Sequence, residues 1–360
     1  MKIAVDVRMA RNTGIGRYIS NLVDGLSLCP DITPLVLLQN SESPFKVMQG
    51  HLQHVELKSR IFTIREQFEL RNVLKKTNPN VVHSPQFNAP VATDLPLVVT
   101  IHDLAYDRFP EEFPSYKAFL YYRAMMKWVT KKARSIITVS NSSKVDLMNY
   151  YRVPESKIHV IYHGNPALRS GGNDLYVNSD TGSDTRYFLY VGMNRPRKNL
   201  RRLIDAFEAT VDRTNHLLLT VGTESTDYYD IRGDVERRGL EDKVKFLGRL
   251  SDQRLMKIYE GATAVVFPSI YEGFGFPVLE AMSRGVPVVC SNTSSLPEIV
   301  GEAALTFNPY NTNDMAEALL EISSNQQLRS TLSLSGLNRV PMFDWTRSIA
   351  EHIAVYESVI

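Results

Sequence analysis

Two carboxylates, Glu272 and Glu280, flank a Gly-Phe-Gly-Phe-Pro string inside PSIYEGFGFPVLEAMSRGVPVVC, residues 268–290. Pro277 suits the first helical position, where a missing N–H costs nothing and φ is already helical. Gly285 suits the residue just past a helix end, and residues 286–290 read as a buried strand. The segment therefore predicts strand, glycine turn, short helix, strand. Backbone amides of such a turn point outward at a helix N-terminus, where the partial positive charge favours an anion such as a diphosphate. Gly273 and Gly275 let the main chain approach a ligand closely. The amides of Gly273, Phe274, Gly275 and Phe276 are the candidate donors. The bland alternative is two surface acids placed at a helix start by its dipole.

Three further groups have the chemistry to serve the same ligand. In VGMNRPRKNLRRLIDAF, residues 191–207, Arg195, Arg197 and Lys198 cluster where a strand gives way to a helix. Cations there oppose the helix dipole, so a bound anion is expected to neutralise them; a solvated basic loop is the alternative. In TGIGRY, residues 13–18, Gly14 and Gly16 read as a turn into a helix beginning near Arg17. That turn again offers amides to phosphate, although a lone G-x-G also marks an ordinary strand–helix connection. His102, in VVTIHDLAY, ends a strand, where α/β folds place ligands. Taken alone, such a histidine is more often structural, and His83 is a similar strand-end residue with a weaker case. An ionised carboxylate accepts two charge-assisted hydrogen bonds and so suits a diol. A nucleotide sugar offers two diols, for which Glu272 (sugar) and Glu280 (ribose) are the candidates.

The string from Glu272 to Glu280 resembles the E-x7-E motif of retaining GT-B glycosyltransferases, in particular glycosyltransferase family 4. The resemblance runs from TGIGRY to the tail FDWTRSIAEHIAVYESV and includes SSLPEIVGEAALTFNP at 294–309. DVRMARNTGIGRYISNL is similar to the O-antigen mannosyl- and rhamnosyltransferase branch. The resemblance implies an α/β GT-B fold, two Rossmann-like domains with parallel sheets facing a central cleft. The N-terminal domain would bind the acceptor and the C-terminal domain the nucleotide sugar. It implies that Lys198 and an arginine clamp the donor diphosphate. Met193 occupies the family's commonest arginine position, which leaves Arg197 and Arg195 as the candidates; Arg197 is preferred because a PRKN string is common in this branch, and Arg195 stays a donor-binding candidate. It also makes Gly14 and Gly16 a donor-side loop, and gives His102 a contact with the transferred sugar. Ser140, Asn141 and Gly164 match positions lining the cleft, while His163 stands where an asparagine is frequent. The implied activity is retaining transfer of a hexose, with mannose from GDP-mannose favoured, to a lipid-linked or polysaccharide acceptor in cell-surface glycan synthesis. dTDP-rhamnose or a UDP-sugar would use the same frame, with base contacts near residues 247–250. A nucleotide-sugar 2-epimerase and a catalytically silent sugar-binding protein are the other classes. No cofactor is implied. The chain holds no D-x-D pair to seat Mg²⁺ or Mn²⁺ on a diphosphate, so metal independence is expected, with the basic cluster supplying the charge.

These residues need a scaffold, and the rest of the chain describes one. The 360 residues suggest two domains, and 43% hydrophobic with 22% charged content suits globular enzyme cores. Apolar runs at Lys2–Val7, Leu35–Leu38, Val81–His83, Leu97–Ile101, Ser135–Val139 and Ile158–Tyr162 alternate with helical spacing at Arg17–Leu28 and Ser115–Arg134. Asn141 or Ser142 would cap the next helix. The second series starts at Tyr187–Val191 and includes strands at Leu217–Val221, Val244–Leu247 and Ala264–Pro268, with helices at Arg201–Ala209 and Asp252–Glu260. The expected divisions are 1–165, a polar linker over 166–186, a second domain over 187–345, and a helix over 346–360 crossing back to the first domain.

Net charge is +2, which makes no case for nucleic acid. Residues 1–165 hold 21 Lys+Arg against 14 Asp+Glu, a balance of +7, and the remainder holds 20 against 25, a balance of −5. The helix at Ser115–Arg134 mixes cations with tyrosine, methionine and tryptophan. It reads either as a core helix with a basic face or as a membrane-surface contact with snorkelling cations. Two cysteines, Cys29 and Cys290, imply no disulfide framework and fit a reducing cytoplasm. No apolar run approaches the ~18 residues that span a bilayer. A cytoplasmic protein, peripheral on the inner face of the membrane, is the expectation.

Overall fold

A computed structural model describes the chain except residues 11–12, 33–34, 41–51, 166–185 and 224–227. The chain divides into two compact units. Met1–Gly164 with Phe343–Ile360 form one, and Asn165–Met342 the other. The expected linker over 166–186 lies outside the described residues except for Arg186.

The first unit alternates β1 (Ile3–Asp6), α1 (Thr13–Ser27), β2 (Leu35–Asn40), β3 (Leu52–Leu57), α2 (Ile64–Thr77), β4 (Val81–Ser84), β5 (Leu97–Thr100), α3 (Ala105–Arg108), α4 (Tyr116–Lys132), β6 (Ser135–Thr138), α5 (Asn141–Tyr151) and β7 (Ile158–Val160). The seven strands pair in the order β3-β2-β1-β4-β5-β6-β7, and every pair is parallel. β1, β4, β5 and β6 are buried at every residue. That explains their unbroken apolar character: helices cover both faces of such a sheet. β3 and α2 are not foreshadowed by periodicity. The start of α2 is fixed instead by a capping box, in which Thr63 accepts from the Glu66 amide and the Glu66 carboxylate accepts from Thr63. The cap of α5 is Ser140, whose side chain accepts from the Ser143 amide, one or two residues earlier than the expected Asn141 or Ser142.

The second unit runs β8 (Arg186–Val191), α6 (Leu200–Glu208), β9 (His216–Val221), α7 (Ile231–Arg237), β10 (Val244–Phe246), α8 (Asp252–Glu260), β11 (Ala264–Phe267), α9 (Phe276–Met282), β12 (Val288–Ser291), α10 (Leu296–Val300), β13 (Leu305–Phe307), α11 (Thr312–Ser324) and α12 (Gln326–Arg339). Its six parallel strands follow the order β10-β9-β8-β11-β12-β13. The order in which strands are added reverses once in each sheet, between β1 and β4 and between β8 and β11. Chain leaving the carboxyl ends of those two strands diverges and opens a crevice, the usual ligand position in such sheets.

The last helix, α13 (Trp345–Ser358), packs in the first unit. Ile349, Val355 and Tyr356 share a buried cluster with Tyr18, Leu22 and Leu26 of α1. Gly25 permits the close approach. A Cβ there would lie 2.4 Å from Ile349 Cγ1. Arg134 adds a hydrogen bond of 2.7 Å to the Val359 carbonyl.

Candidate active site

In the second unit the two segments that leave β8 and β11 meet at the reversal point. After β8 the chain makes a short turn, Pro196–Lys198, which ends at Asn199 with φ 60°. The Ile270 amide donates to the Arg197 carbonyl at 2.8 Å. The buried Asn199 side chain donates to the carbonyls of Pro268 at 3.1 Å and Pro309 at 2.8 Å. Those bonds clamp the basic turn to the carboxylate loop, so side chains 74 residues apart in sequence become neighbours.

Lys198 Nζ donates to Glu272 Oε1, and Arg197 Nη1 lies 3.7 Å from Glu272 Oε2. The side chains of Glu272, Arg197 and Lys198 are only 8%, 13% and 14% exposed. Burial by itself would raise the Glu272 pKa. The charges of Lys198 and Arg197 outweigh that and hold the carboxyl below its usual value, so it is ionised at neutral pH. Lys198 also lies over the Phe267 ring, 5.4 Å from its centroid. Arg195 precedes the turn and is half-buried.

The carboxylate loop is held from behind by hydroxyls of residues 291–295, a run to which the sequence reading gave no role. Ser291 donates to the Ser269 carbonyl and Thr293 to that of Ile270 at 2.9 Å. Ser294 donates to the Glu272 carbonyl at 2.6 Å and accepts from its amide at 3.1 Å. Ser295 donates to the carbonyls of Glu272 at 3.0 Å and Phe274 at 3.1 Å. Four hydroxyls thus satisfy the carbonyls of Ser269, Ile270, Glu272 and Phe274. The amides of Gly273 and Gly275 have no partner among the described residues. Gly275 has φ 105° and serves as the backbone cap of α9, with no side-chain cap; only glycine takes that conformation readily. Helix α9 starts at Phe276, so Pro277 is its second residue, one later than expected. Glu280 is buried in this helix, and its Oε2 accepts from Tyr259 at 2.9 Å. Among the described residues no group of three or more His, Cys, Asp or Glu side chains is arranged to hold a metal ion.

The first-unit candidates fall around a different cluster. Gly14 and Gly16 are not in a turn, because α1 already begins at Thr13 and both lie in its first turn. Gly16 is a contact point: a Cβ would sit 2.3 Å from the Ala10 carbonyl oxygen. Two residues on, Tyr18 sets its ring 4.9 Å from that of His102 and 5.0 Å from that of His163. His102 Nε2 lies 2.9 Å from the Pro85 carbonyl, which can only accept, so Nε2 carries the proton and Nδ1 is bare. Burial lowers the pKa of His102, and burial with the neighbouring histidines lowers those of His83 and His163 further.

Neutral imidazoles fix the direction of a chain of hydrogen bonds that reaches α13. His352 Nδ1 must donate to the Ser348 carbonyl at 2.7 Å, so its Nε2 accepts from Tyr18 at 2.7 Å. Tyr18 then accepts from Thr100 at 2.8 Å, and Thr100 from His83 Nε2 at 2.8 Å. His83 Nδ1 accepts from Tyr356 at 2.7 Å. The chain ties β4, β5 and α1 to α13 at two points. His352 and Tyr356 carry the only sequence signal for it, two polar rings four apart on the buried face of an amphipathic helix.

A second polar cluster, also unforeseen, sits at the carboxyl ends of β1 and β4. Arg8 Nε donates to Asp6 at 2.8 Å and Arg8 Nη2 to Glu66 at 2.6 Å, while Asn88 donates to Glu66 at 2.8 Å. Arg8 Nη1, Ser84 Oγ and Gln86 Nε2 are buried without a partner.

Comparison with known proteins adds three kinds of likeness. Residues 13–165 match the model of "Glycosyltransferase Family 4", and residues 177–338 that of "Glycosyl transferases group 1". The chain is 29% identical to O-antigen chain mannosyltransferase B of Escherichia coli, over 96% of each chain. It is 30% identical to O-antigen chain mannosyltransferase RfbU of Salmonella typhimurium, over 73% of this chain and 70% of that one. The crystal structure of HepE from Anabaena in complex with UDP and glucose superposes with a TM-score of 0.78 at 18% identity, over 99% of this chain and 100% of that one.

Proposed function

The chain belongs to glycosyltransferase family 4, the group 1 glycosyl transferases, with the GT-B fold of two parallel-sheet α/β domains, and from that premise we propose that it is a retaining, metal-independent mannosyltransferase. The donor is GDP-mannose, and the acceptor is a lipid-linked or polysaccharide glycan of the cell surface. The observation that carries the reading is a buried carboxylate, Glu272, held by Lys198 and Arg197 beyond the carboxyl ends of the paired strands β8 and β11. Likeness to two O-antigen mannosyltransferases favours mannose.

On this reading the donor diphosphate takes the place of the Glu272 carboxylate beside Lys198 and Arg197. Glu272 is thereby released to accept from hydroxyls of the transferred sugar. The amides of Gly273 to Phe276 and Arg195 bind the phosphates and sugar, and Glu280 the ribose, with Gly14 and Gly16 on the donor side of the first domain. The bond from the anomeric carbon to the phosphate oxygen breaks and the bond to the acceptor oxygen forms on the same face. The departing phosphate oxygen takes the acceptor's proton. Lys198 and Arg197 stabilise the growing diphosphate charge, which is the electrostatic work a metal would otherwise do. His102 contacts the transferred sugar. Its bare Nδ1 is an acceptor for a hydroxyl.

The acceptor belongs to the first domain, where the Asp6–Arg8–Glu66–Asn88 cluster and its unpartnered polar atoms suit a polyhydroxyl ligand. No helix among the described residues is long and apolar enough to cross a membrane. A cavity of about 490 Å³ lined by Arg123, Lys127, Lys131, Arg152 and Lys157 supports contact with an anionic membrane surface, through α4 and its neighbours, at the cytoplasmic face. Thermal-shift binding of GDP-mannose, dTDP-rhamnose and UDP-sugars, without metal, tests the donor assignment. A ligand at ~100 times its dissociation constant stabilises by about 2.7 kcal/mol. Selective stabilisation by GDP-mannose is expected. A shift with another nucleotide sugar alone would replace mannose and leave the rest standing.

A further inference from the structure

The amino end of the second sheet, opposite the Lys198–Glu272 cluster, holds a cavity of about 520 Å³ that the proposed reaction does not use. It is lined by Arg186 and His216, by Thr263 ahead of β11, and by Gln326, Arg329 and Ser330 of α12. Arg186 and His216 are register partners at the starts of β8 and β9, so the parallel pairing itself sets them side by side. His216 is 3% exposed and stacked on Phe188, with centroids 4.7 Å apart and planes at 11°. Both of its ring nitrogens lack a hydrogen-bond partner. A buried imidazole unsatisfied at both nitrogens is rare and marks a missing partner. Two guanidinium groups line the cavity and no carboxylate does. Arg329 is braced for such a task, since Nη1 donates to the carbonyls of Ile322 at 2.7 Å and Ser323 at 2.8 Å.

We propose that this cavity is a second anion site, which binds a small phosphate monoester of the sugar-phosphate class. A phosphate offers several acceptor oxygens to two guanidinium groups and an imidazole N–H at once. The hydroxyls and amide of Thr263, Ser330 and Gln326 supply the remaining polarity for a sugar, and the volume lies in the range of small-ligand sites. Burial, then the charges of Arg186 and Arg329, hold the His216 pKa down to about 4. A bound dianion screens those charges and stabilises the imidazolium, so occupancy raises that pKa. The site lies a strand's length, roughly 20 Å for six residues, from the carboxyl ends where the donor is placed. It therefore fills without competing for Lys198.

The test is calorimetric titration of the full chain with inorganic phosphate and with glucose 6-phosphate. Wild type is compared with Arg186→Glu and with Lys198→Ala. In parallel, the His216 imidazole C–H resonance, identified by its loss in His216→Gln, is followed against pH. One-to-one saturable binding is expected, unchanged in Lys198→Ala and weakened at least tenfold in Arg186→Glu. The resonance should titrate at higher pH once phosphate is present. Tighter binding of glucose 6-phosphate than of inorganic phosphate supports the sugar-phosphate class, and equal binding would overturn that part. Absence of saturation, full affinity in Arg186→Glu, or loss in Lys198→Ala would overturn the site. If Arg186→Glu fails to fold, the shift of the wild-type resonance on adding phosphate decides the matter, and no shift would overturn the site.

Discussion

Replacing Glu272 by glutamine should lower the stability of the unliganded protein and yet tighten its binding of GDP. Without ligand, the carboxylate neutralises two cations whose side chains are only 13% and 14% exposed. Breaking a fully buried pair costs about 3–5 kcal/mol. Here glutamine keeps an acceptor oxygen and Lys198 keeps some access to water, so a loss of about 1–3 kcal/mol is expected. In a unit of this size each kcal/mol moves Tm by about 2–4 °C. The same pair opposes the ligand, because a diphosphate must replace the carboxylate beside Lys198. A hydrogen bond to a charged group is worth about 1.5–3 kcal/mol net. Removing that competitor should strengthen GDP binding by about 1–2 kcal/mol, roughly 5- to 30-fold. Differential scanning calorimetry and GDP titration read both halves, and transfer should be lost with them. The pair's stabilisation is fully present above the usual carboxylate pKa of 4.5. It is lost only as pH falls through the lower folded value, so measurements between pH 6 and 8 are unaffected. An unchanged Tm, or GDP affinity reduced tenfold, would refute the idea that Glu272 competes with the diphosphate.

Acid should destabilise the first unit through its buried histidines. His352 falls from 6.5 to about 4 by burial, so as pH drops protons bind the unfolded chain first. Stability is full above about pH 6.5 and declines toward pH 4, by on the order of 3 kcal/mol for this residue; denaturant melts in which His352→Gln leaves the acid slope unchanged would contradict this. Gly25→Ala should cost about 1–3 kcal/mol by forcing α13 off α1, more than the ~1 kcal/mol that helix propensity returns. A neutral or raised midpoint in urea would show that the contact yields freely. Sugar transfer should survive EDTA at undiminished rate, and restoration of a lost rate by Mg²⁺ or Mn²⁺ would overturn metal independence.

Some of this architecture is legible in the sequence and some is not, for physical reasons. Strands such as Val81–Ser84 and Leu97–Thr100 are buried on both faces, so an unbroken apolar run betrays them. Helix α2 has a weak apolar face, and its start depends on Glu66 reaching back to Thr63, which periodicity does not register. The glycine turn and its two glutamates announce themselves because turn chemistry is local. The clamp that brings Lys198 to Glu272 depends on Asn199 and on hydroxyls at 291–295, whose partners lie far away in sequence. Gly14 and Gly16 mislead for the opposite reason: a G-x-G pattern suggests a turn, but neither residue needs a special φ, and the helix begins at Thr13. The histidine chain leaves only the spacing of His352 and Tyr356 as a trace in the sequence, since His83, Thr100, Tyr18 and His352 come from four separate elements.

The central claim is tested most directly by incubating the protein, without metal, with GDP-mannose labelled at C1 and a mannose-terminated lipid-linked acceptor. The product is then read by NMR at the labelled carbon, with UDP-glucose and dTDP-rhamnose run in parallel. Transfer is expected from GDP-mannose alone, with an α-linkage that retains the donor's configuration, and no transfer by Glu272→Gln. A β-linked product would contradict retention, and turnover with either other donor in place of GDP-mannose would contradict the assignment of mannose.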